Sequence, residues 1–290
     1  MRKITKFTII AGYIFLSSVN VTTAQEMSLS MDADDDIDMI LRNYHVVPLE
    51  SQTESSLQIG FDYTEGDYGG FDKTKLLYVP ISFRYTHDAW SFRVSSGYVR
   101  VVGEENITPG IGGGASILAD PVDLDSNQDS DDGMGDIFLS GSYSFNELRI
   151  NNFYIDITAQ VKIPTADADK QLGTDKADVS LQIGATKIIG NFLPFVTVGY
   201  RYVGKTSRYN LQNIWFASLG MAYYLNRDIT LGMSYDLRKS ISIDTANLQE
   251  IQAYMDYTLT DNWGVYFYGI TGLSDSSPNI GGGFQLKYNF

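Results

Sequence analysis

The side chains most able to do chemistry in this 290-residue chain are acids rather than nucleophiles. Asp123-Leu-Asp125-Ser-Asn127-Gln-Asp129 spaces oxygen ligands at alternate positions, as a calcium loop does, so Asp123, Asp125, Asn127 and Asp129 are the candidate ligands. The stretch departs from such a loop twice. Gln128 stands where glycine makes the sharp turn, and Met134 where a bidentate glutamate closes the shell. A solvated external loop is therefore the expectation, with a divalent contact bridging to anionic lipopolysaccharide as the alternative. No resident metal or other cofactor is expected.

Other chemistries are closed off by composition. There is no cysteine, which excludes disulfides, thiolate catalysis and Cys-ligated metals. The two histidines, His45 and His87, fall beside no plausible nucleophile, so no acid–base pair and no enzyme activity is expected. Gly110-Ile-Gly-Gly-Gly114 and Gly281-Gly-Gly283 lack the Lys-Ser/Thr and the βαβ setting of phosphate-binding loops. The second run is expected to let a strand bend or a neighbouring side chain pack close.

Charge and targeting narrow the class further. Arg2, Lys3 and Lys6 precede a short apolar stretch, Phe7 to Leu16, and Thr22-Thr-Ala24 forms a small-residue cleavage site, so 1–24 reads as a cleaved signal peptide. The apolar stretch is too short to span a bilayer as a helix, which takes roughly 20 residues. Without 1–24, Lys+Arg falls by three to 18 against 35 acids, and the formal net charge moves from −14 to −17. Such an acidic chain is no partner for nucleic acid. Asp32, Asp34, Asp35, Asp36 and Asp38 crowd the segment 25–54, read as an acidic periplasmic arm or partial plug.

The remaining 55–290 shows one dominant pattern, a two-residue alternation of apolar and polar side chains. Phe153, Ile155, Ile157, Ala159, Val161 and Ile163 alternate with Tyr154, Asp156, Thr158, Gln160 and Lys162. The same period runs through Leu57–Tyr63, Leu77–Tyr85, Trp90–Tyr98, Ile137–Phe145, Val179–Ala185, Val196–Tyr202, Trp215–Tyr223, Ile229–Leu237, Ile251–Leu259, Trp263–Phe267 and Phe284–Phe290. Half of each strand then faces hydrocarbon and half faces water, as in an up-and-down transmembrane β-barrel of about twelve strands. Short connections near 86–89, 146–151, 188–191, 225–228 and 259–262 alternate with longer ones at 65–73, 103–134, 164–177, 203–211, 239–246 and 273–279. Tight periplasmic turns and long external loops, 103–134 longest, would produce that order. Aromatics gather at strand ends, Tyr85, Trp90, Tyr143, Phe145, Tyr223, Trp263 and Phe290 at the short turns and Tyr63, Tyr98 and Tyr202 at the long loops, as interfacial girdles do.

If the apolar side chains face lipid, the lumen receives Arg84, Arg93, Lys162, Arg201, Arg238 and Lys287 together with Asp62, Asp136, Asp156, Asp178, Asp236 and Asp256. Tyr154 and Tyr254, with Tyr78, Phe216, Tyr266 and Tyr268, would add aromatic surface. Near-balanced lumen charge serves either as a stabilising ladder or as the lining of a solute path with mild ion preference.

Two stretches carry a resemblance. Gly133-Met-Gly-Asp136-Ile-Phe-Leu-Ser-Gly-Ser-Tyr-Ser-Phe145 resembles the Gly-x-Gly-Asp strand opening of the phenol-degradation (meta-pathway) outer-membrane transporter family. Lys162-Ile-Pro-Thr-Ala-Asp167, then Leu172-Gly-Thr-Asp175 and Asp178, is similar to that family's Pro-Thr-Gly-Asp and Leu-Gly-Thr-Gly segment, with Ala166 and Asp175 in place of glycines. The resemblance implies a barrel that passes small, often aromatic or apolar, molecules. The expectation is thus a channel or passive transporter in the outer membrane of a Gram-negative bacterium. Its partners would be membrane lipid and lipopolysaccharide, a small-molecule solute, and the barrel-assembly machinery through Phe290. The rival is a structural or adhesive barrel with a filled lumen.

Overall fold

A computed structural model of the chain describes residues 53–68, 73–103, 130–145, 153–170, 172–243 and 245–290, and two short paired segments elsewhere, Ile9–Ala11 with Val21–Thr23 and Ile107–Pro109 with Ala115–Ile117. Ala24 at the end of the cleavage site, most of the acidic arm and the candidate ligands Asp123, Asp125, Asn127 and Asp129 lie outside the described residues.

Among the described residues twelve strands form one antiparallel sheet. They are β1 (Thr53–Gly66), β2 (Thr74–His87), β3 (Trp90–Val102), β4 (Ser130–Met134 continuing as Ile137–Ser144), β5 (Phe153–Ile163), β6 (Asp178–Lys187), β7 (Phe192–Tyr202), β8 (Ile214–Tyr224), β9 (Ile229–Arg238), β10 (Leu248–Thr258), β11 (Trp263–Gly272) and β12 (Ile280–Asn289). Each pairs with its sequence neighbours, and β12 returns to β1, with Leu286 opposite Ile59 and Asn289 opposite Ser56. The sheet therefore has no free edge, the one way a sheet can satisfy all its backbone groups in hydrocarbon. No described helix is long and apolar enough to cross a membrane; the crossing is made by strands.

Side-chain alternation sorts the two faces. Leu219, Leu181, Val198, Met233 and Phe284 point outward and are exposed, while their chain neighbours Ser218, Gln182, Thr197 and Ser234 are buried inside. At the short-turn end the outer aromatics touch. Trp90 and Tyr143 lie 4.9 Å apart, Phe192 and Tyr223 4.8 Å, and Trp263 and Tyr288 4.8 Å, forming a girdle at the headgroup level.

Two boundaries differ from the sequence reading. The barrel begins at Thr53, inside the segment read as arm, because Thr53 and Glu54 still pair with His87 and Thr86. Ser130–Met134, read as the end of the long loop, is the outer part of β4 and pairs with β3. Its composition, Ser-Asp-Asp-Gly-Met, hides it, because strand pairing needs no apolar side chains above the hydrocarbon.

β4 is interrupted by a bulge. Trp90–Ser95 pair with Tyr143–Phe138, but Tyr98–Val102 pair with Met134–Ser130, which leaves one extra residue on β4 between the two registers. Gly135 donates its N–H to Gly97 O at 2.8 Å, and Gly135 and Asp136 are both buried inside. The bulge re-aims the chain, as such insertions do. Beyond it the alternation is inverted, so that Met134 is exposed while Asp136 is buried with Phe138 and Ser140.

Candidate lumen site

The outer half of the lumen is built around Lys162. Its Nζ lies 2.8 Å from Thr174 Oγ1, 3.2 Å from Asp136 Oδ2 and 3.5 Å from Asp178 Oδ2, so the three ammonium protons have three partners. The remaining carboxylate oxygens are also used. Asp136 Oδ1 accepts the N–H groups of Thr165 and Ala166 at 3.0 Å each, and Asp178 Oδ1 accepts the N–H of Gly204 at 3.0 Å. The lysine is only 6% exposed, and a charge that deep is tolerable only with such complete pairing. The network ties β4, β5 and β6 to the loops 164–177 and 203–213, and Arg208 adds a bond to Ala168 O between those loops.

The two stretches quoted for their family resemblance meet at this centre. Gly133 and Gly173 are close-approach positions: a Cβ on Gly173 would fall 2.9 Å from that of Ala166 and 3.3 Å from Asp136 Oδ1. Asp175, standing where the family pattern has glycine, has φ 54°, the left-handed conformation that glycine and, less easily, aspartate adopt. Above the ionic centre an apolar cluster of Tyr68, Leu76, Val99, Val101, Ala166 and Leu172 packs the loop bases against the inner wall. Burial pushes the phenol of Tyr68 well above its ordinary range, so it stays protonated and donates to Thr64 Oγ1 at 3.0 Å. A second cluster, Val203, Tyr209, Leu211, Ile214 and Ile241, does the same for the loop 203–213.

Lower in the barrel the inner aromatics lie flat on the wall. Phe216 faces Gly199 across β7–β8, Phe195 faces Gly220, Tyr254 faces Gly232 across β9–β10, and Tyr268 faces Gly283 across β11–β12. In each case a Cβ on the glycine would lie closer than 3.0 Å to a ring atom or to the Tyr268 hydroxyl. The glycines thus act as recesses, and the rings leave the axis of the barrel. Gly283, from the second glycine run, also seats Asp62, which accepts a 2.5 Å hydrogen bond from Tyr268.

The remaining inner charges fall on the same face. Arg201 is buried, and Arg238 Nη2 lies 4.0 Å from Glu250 Oε1. Asp236 accepts from Ser234 at 2.8 Å, and Asp156 lies over Gly184. Arg84, Arg93, Asp256, Lys287 and Tyr154 are half-buried and sit nearer the short-turn end. Glu250 escaped the sequence reading, as did Gln252, which donates to Tyr266 at 2.7 Å. Both share the alternation of Tyr254 and Asp256, but they precede or adjoin Ile251, the first apolar residue of the alternating set. Among the described residues no group of three or more acids or histidines is arranged to hold a metal ion.

A closed antiparallel barrel with an apolar outer belt, an aromatic girdle and a polar inner face is a transmembrane β-barrel of the bacterial outer-membrane type. Residues 61–290 match the family described as "Putative MetA-pathway of phenol degradation", and the chain belongs to it. No match was found among curated proteins. Among solved structures the chain is similar to the NanC porin, at 10% identity over 81% of this chain and 98% of that one with a TM-score of 0.49. It is similar also to the KdgM porin, at 11% identity over 81% and 99% with a TM-score of 0.48. A third is the toluene transporter TodX of Pseudomonas putida, at 13% identity over 84% and 91% with a TM-score of 0.42.

Proposed function

We propose that the barrel is a passive channel for small solutes, aromatic compounds among them, with no covalent step. The observation that carries this reading is the seating of Phe216, Tyr254 and Tyr268 on the glycines opposite them, Gly199, Gly232 and Gly283, which draws these inner rings onto the wall. A barrel meant to be solid would turn its rings toward the axis. The family's phenol-degradation description is the support for aromatic solutes.

A second reading has its own observation. The apolar clusters at the outer mouth favour a barrel whose lumen is closed there and whose loops are its working part. The acidic segment before β1 and the loop 103–134 are the proposed internal plugs. Liposome swelling with solutes of graded size separates the readings. Swelling that declines with solute size supports the channel, whereas impermeability to all of them, also after removal of residues 27–50, leaves the structural barrel.

A further inference from the structure

The lipid-facing wall is not smooth. Toward the short-turn end of β3, β4 and β5 it carries an apolar dent of about 350 Å3, lined by Trp90, Gly141, Tyr143, Phe145, Ile157 and Ala159. Its floor is the cross-strand pair Gly141–Ala159, the two smallest side chains of a row that runs from Phe92 on β3 to Leu181 on β6. Gly141 is unlike the glycines that seat the inner rings. A Cβ there would meet the Phe92 ring at 3.6 Å, an ordinary contact, and its backbone is not in the left-handed region. Neither turn geometry nor packing within the chain calls for this glycine, which weakens a strand; what remains is a close approach from outside the barrel. One basic side chain stands on the same outer face. Lys187 is the partner of Phe153 across β5–β6, and its Nζ lies 4.8 Å from the centre of the Phe153 ring.

We infer that the dent holds one acyl chain of an anionic phospholipid from the periplasmic leaflet, with Lys187 against the lipid phosphate. The lengths agree. From Phe153 to Ala159 is six residues along β5, about 20 Å at the rise of a strand. With a strand tilt of about 40° that is about 15 Å of depth, half of the ~30 Å hydrocarbon core and so the thickness of one leaflet. Lys187 and Phe153 then stand at headgroup level while the Gly141–Ala159 floor lies near the midplane. An apolar floor open to hydrocarbon excludes a polar solute, and an ammonium at the rim matches a phosphate. Trp90 and Tyr143, 4.9 Å apart, form one bank of the dent, at the interfacial depth that such rings favour. The site lies across the wall from the lumen and does not depend on the channel reading.

Native mass spectrometry of the full-length barrel, released from detergent after incubation with dimyristoyl phosphatidylglycerol or dimyristoyl phosphatidylcholine, reads the lipid retained. One phosphatidylglycerol per barrel should stay bound in preference to phosphatidylcholine. Lys187→Gln should weaken that retention about fivefold, the scale of one basic residue near anionic lipid, and Lys187→Arg should keep it. Gly141→Leu and, separately, Ala159→Leu fill the dent and should remove the bound lipid. Ala253→Leu, at an exposed outward position on β10, should leave it unchanged, and retained heat-modifiability on gels shows that a variant is folded. Lipid retained by folded Gly141→Leu and Ala159→Leu as by the parent, or lost equally with Ala253→Leu, overturns the inference. So does a dimer that Gly141→Leu separates, which would assign the dent to a second copy of the chain. Liposome swelling should not differ between the parent and Gly141→Leu, so failure of the lipid site and failure of the channel reading are seen separately.

Discussion

The ring of Tyr254 lies on Gly232, its direct partner across β9–β10, so closely that even a methyl group on the glycine would collide with the phenol. The same arrangement recurs at Phe216 over Gly199 and Tyr268 over Gly283. Gly232→Val must turn the Tyr254 ring toward the axis. Single-channel conductance should drop, with a stability cost of about 1–3 kcal/mol from overpacking. Tyr254→Ala in the Gly232→Val background should restore conductance. Conductance indifferent to both changes would show that the ring does not border the path.

Lys162 holds two carboxylates and a loop. Lys162→Met removes the cation and leaves Asp136 and Asp178 buried without it, which should cost about 3–5 kcal/mol. The expected readouts are a lower urea midpoint for the folded barrel in detergent and faster proteolysis within 164–177. Adding Asp136→Asn and Asp178→Asn should recover part of the loss, since the unpaired charges then disappear. A single variant as stable as the parent would mean that the pairing contributes nothing to the fold.

Asp175 occupies a backbone position suited to glycine. Asp175→Gly relieves the left-handed strain and should hold or raise the urea midpoint by up to about 1 kcal/mol, while Asp175→Val should lower stability by roughly 1–2 kcal/mol. The nearest counter-ion, Lys176 at 3.9 Å, is exposed and offers little to lose. If the glycine variant proves the weaker of the two, side-chain contacts outweigh the backbone at this site.

Leu219, in the middle of β8, is 64% exposed on the outer wall. In a bilayer that surface meets acyl chains, so Leu219→Arg should destabilise the barrel by about 2–4 kcal/mol in folding measurements with lipid vesicles. A neutral outcome would argue against hydrocarbon at this level of the wall.

Much of this architecture was legible along the chain. A strand has a side-chain period of two, and lipid on one side with polar groups on the other writes that period directly into residue type, as in Phe153–Ile163. The alternation of short and long connections fixed the order of the strands, because an up-and-down barrel joins only neighbours. Asp156 and Arg238, which parity assigns to the inner face, are buried in the closed sheet.

What parity cannot supply is the position of one strand against the next. The bulge at Gly135–Asp136 shifts the register against β3 without leaving a mark in composition, and it turns Met134 outward although Asp136, two residues on, is buried inside. The pairing of Arg84 with Arg93, the acid pair Asp236–Glu250 and the seating of each ring on a glycine all depend on which residues stand opposite. Those relations join residues on different strands, and they are set by turn lengths, bulges and closure of the sheet rather than by any local preference. The chain itself determined which side chains face inward; the closed sheet decided which of them meet.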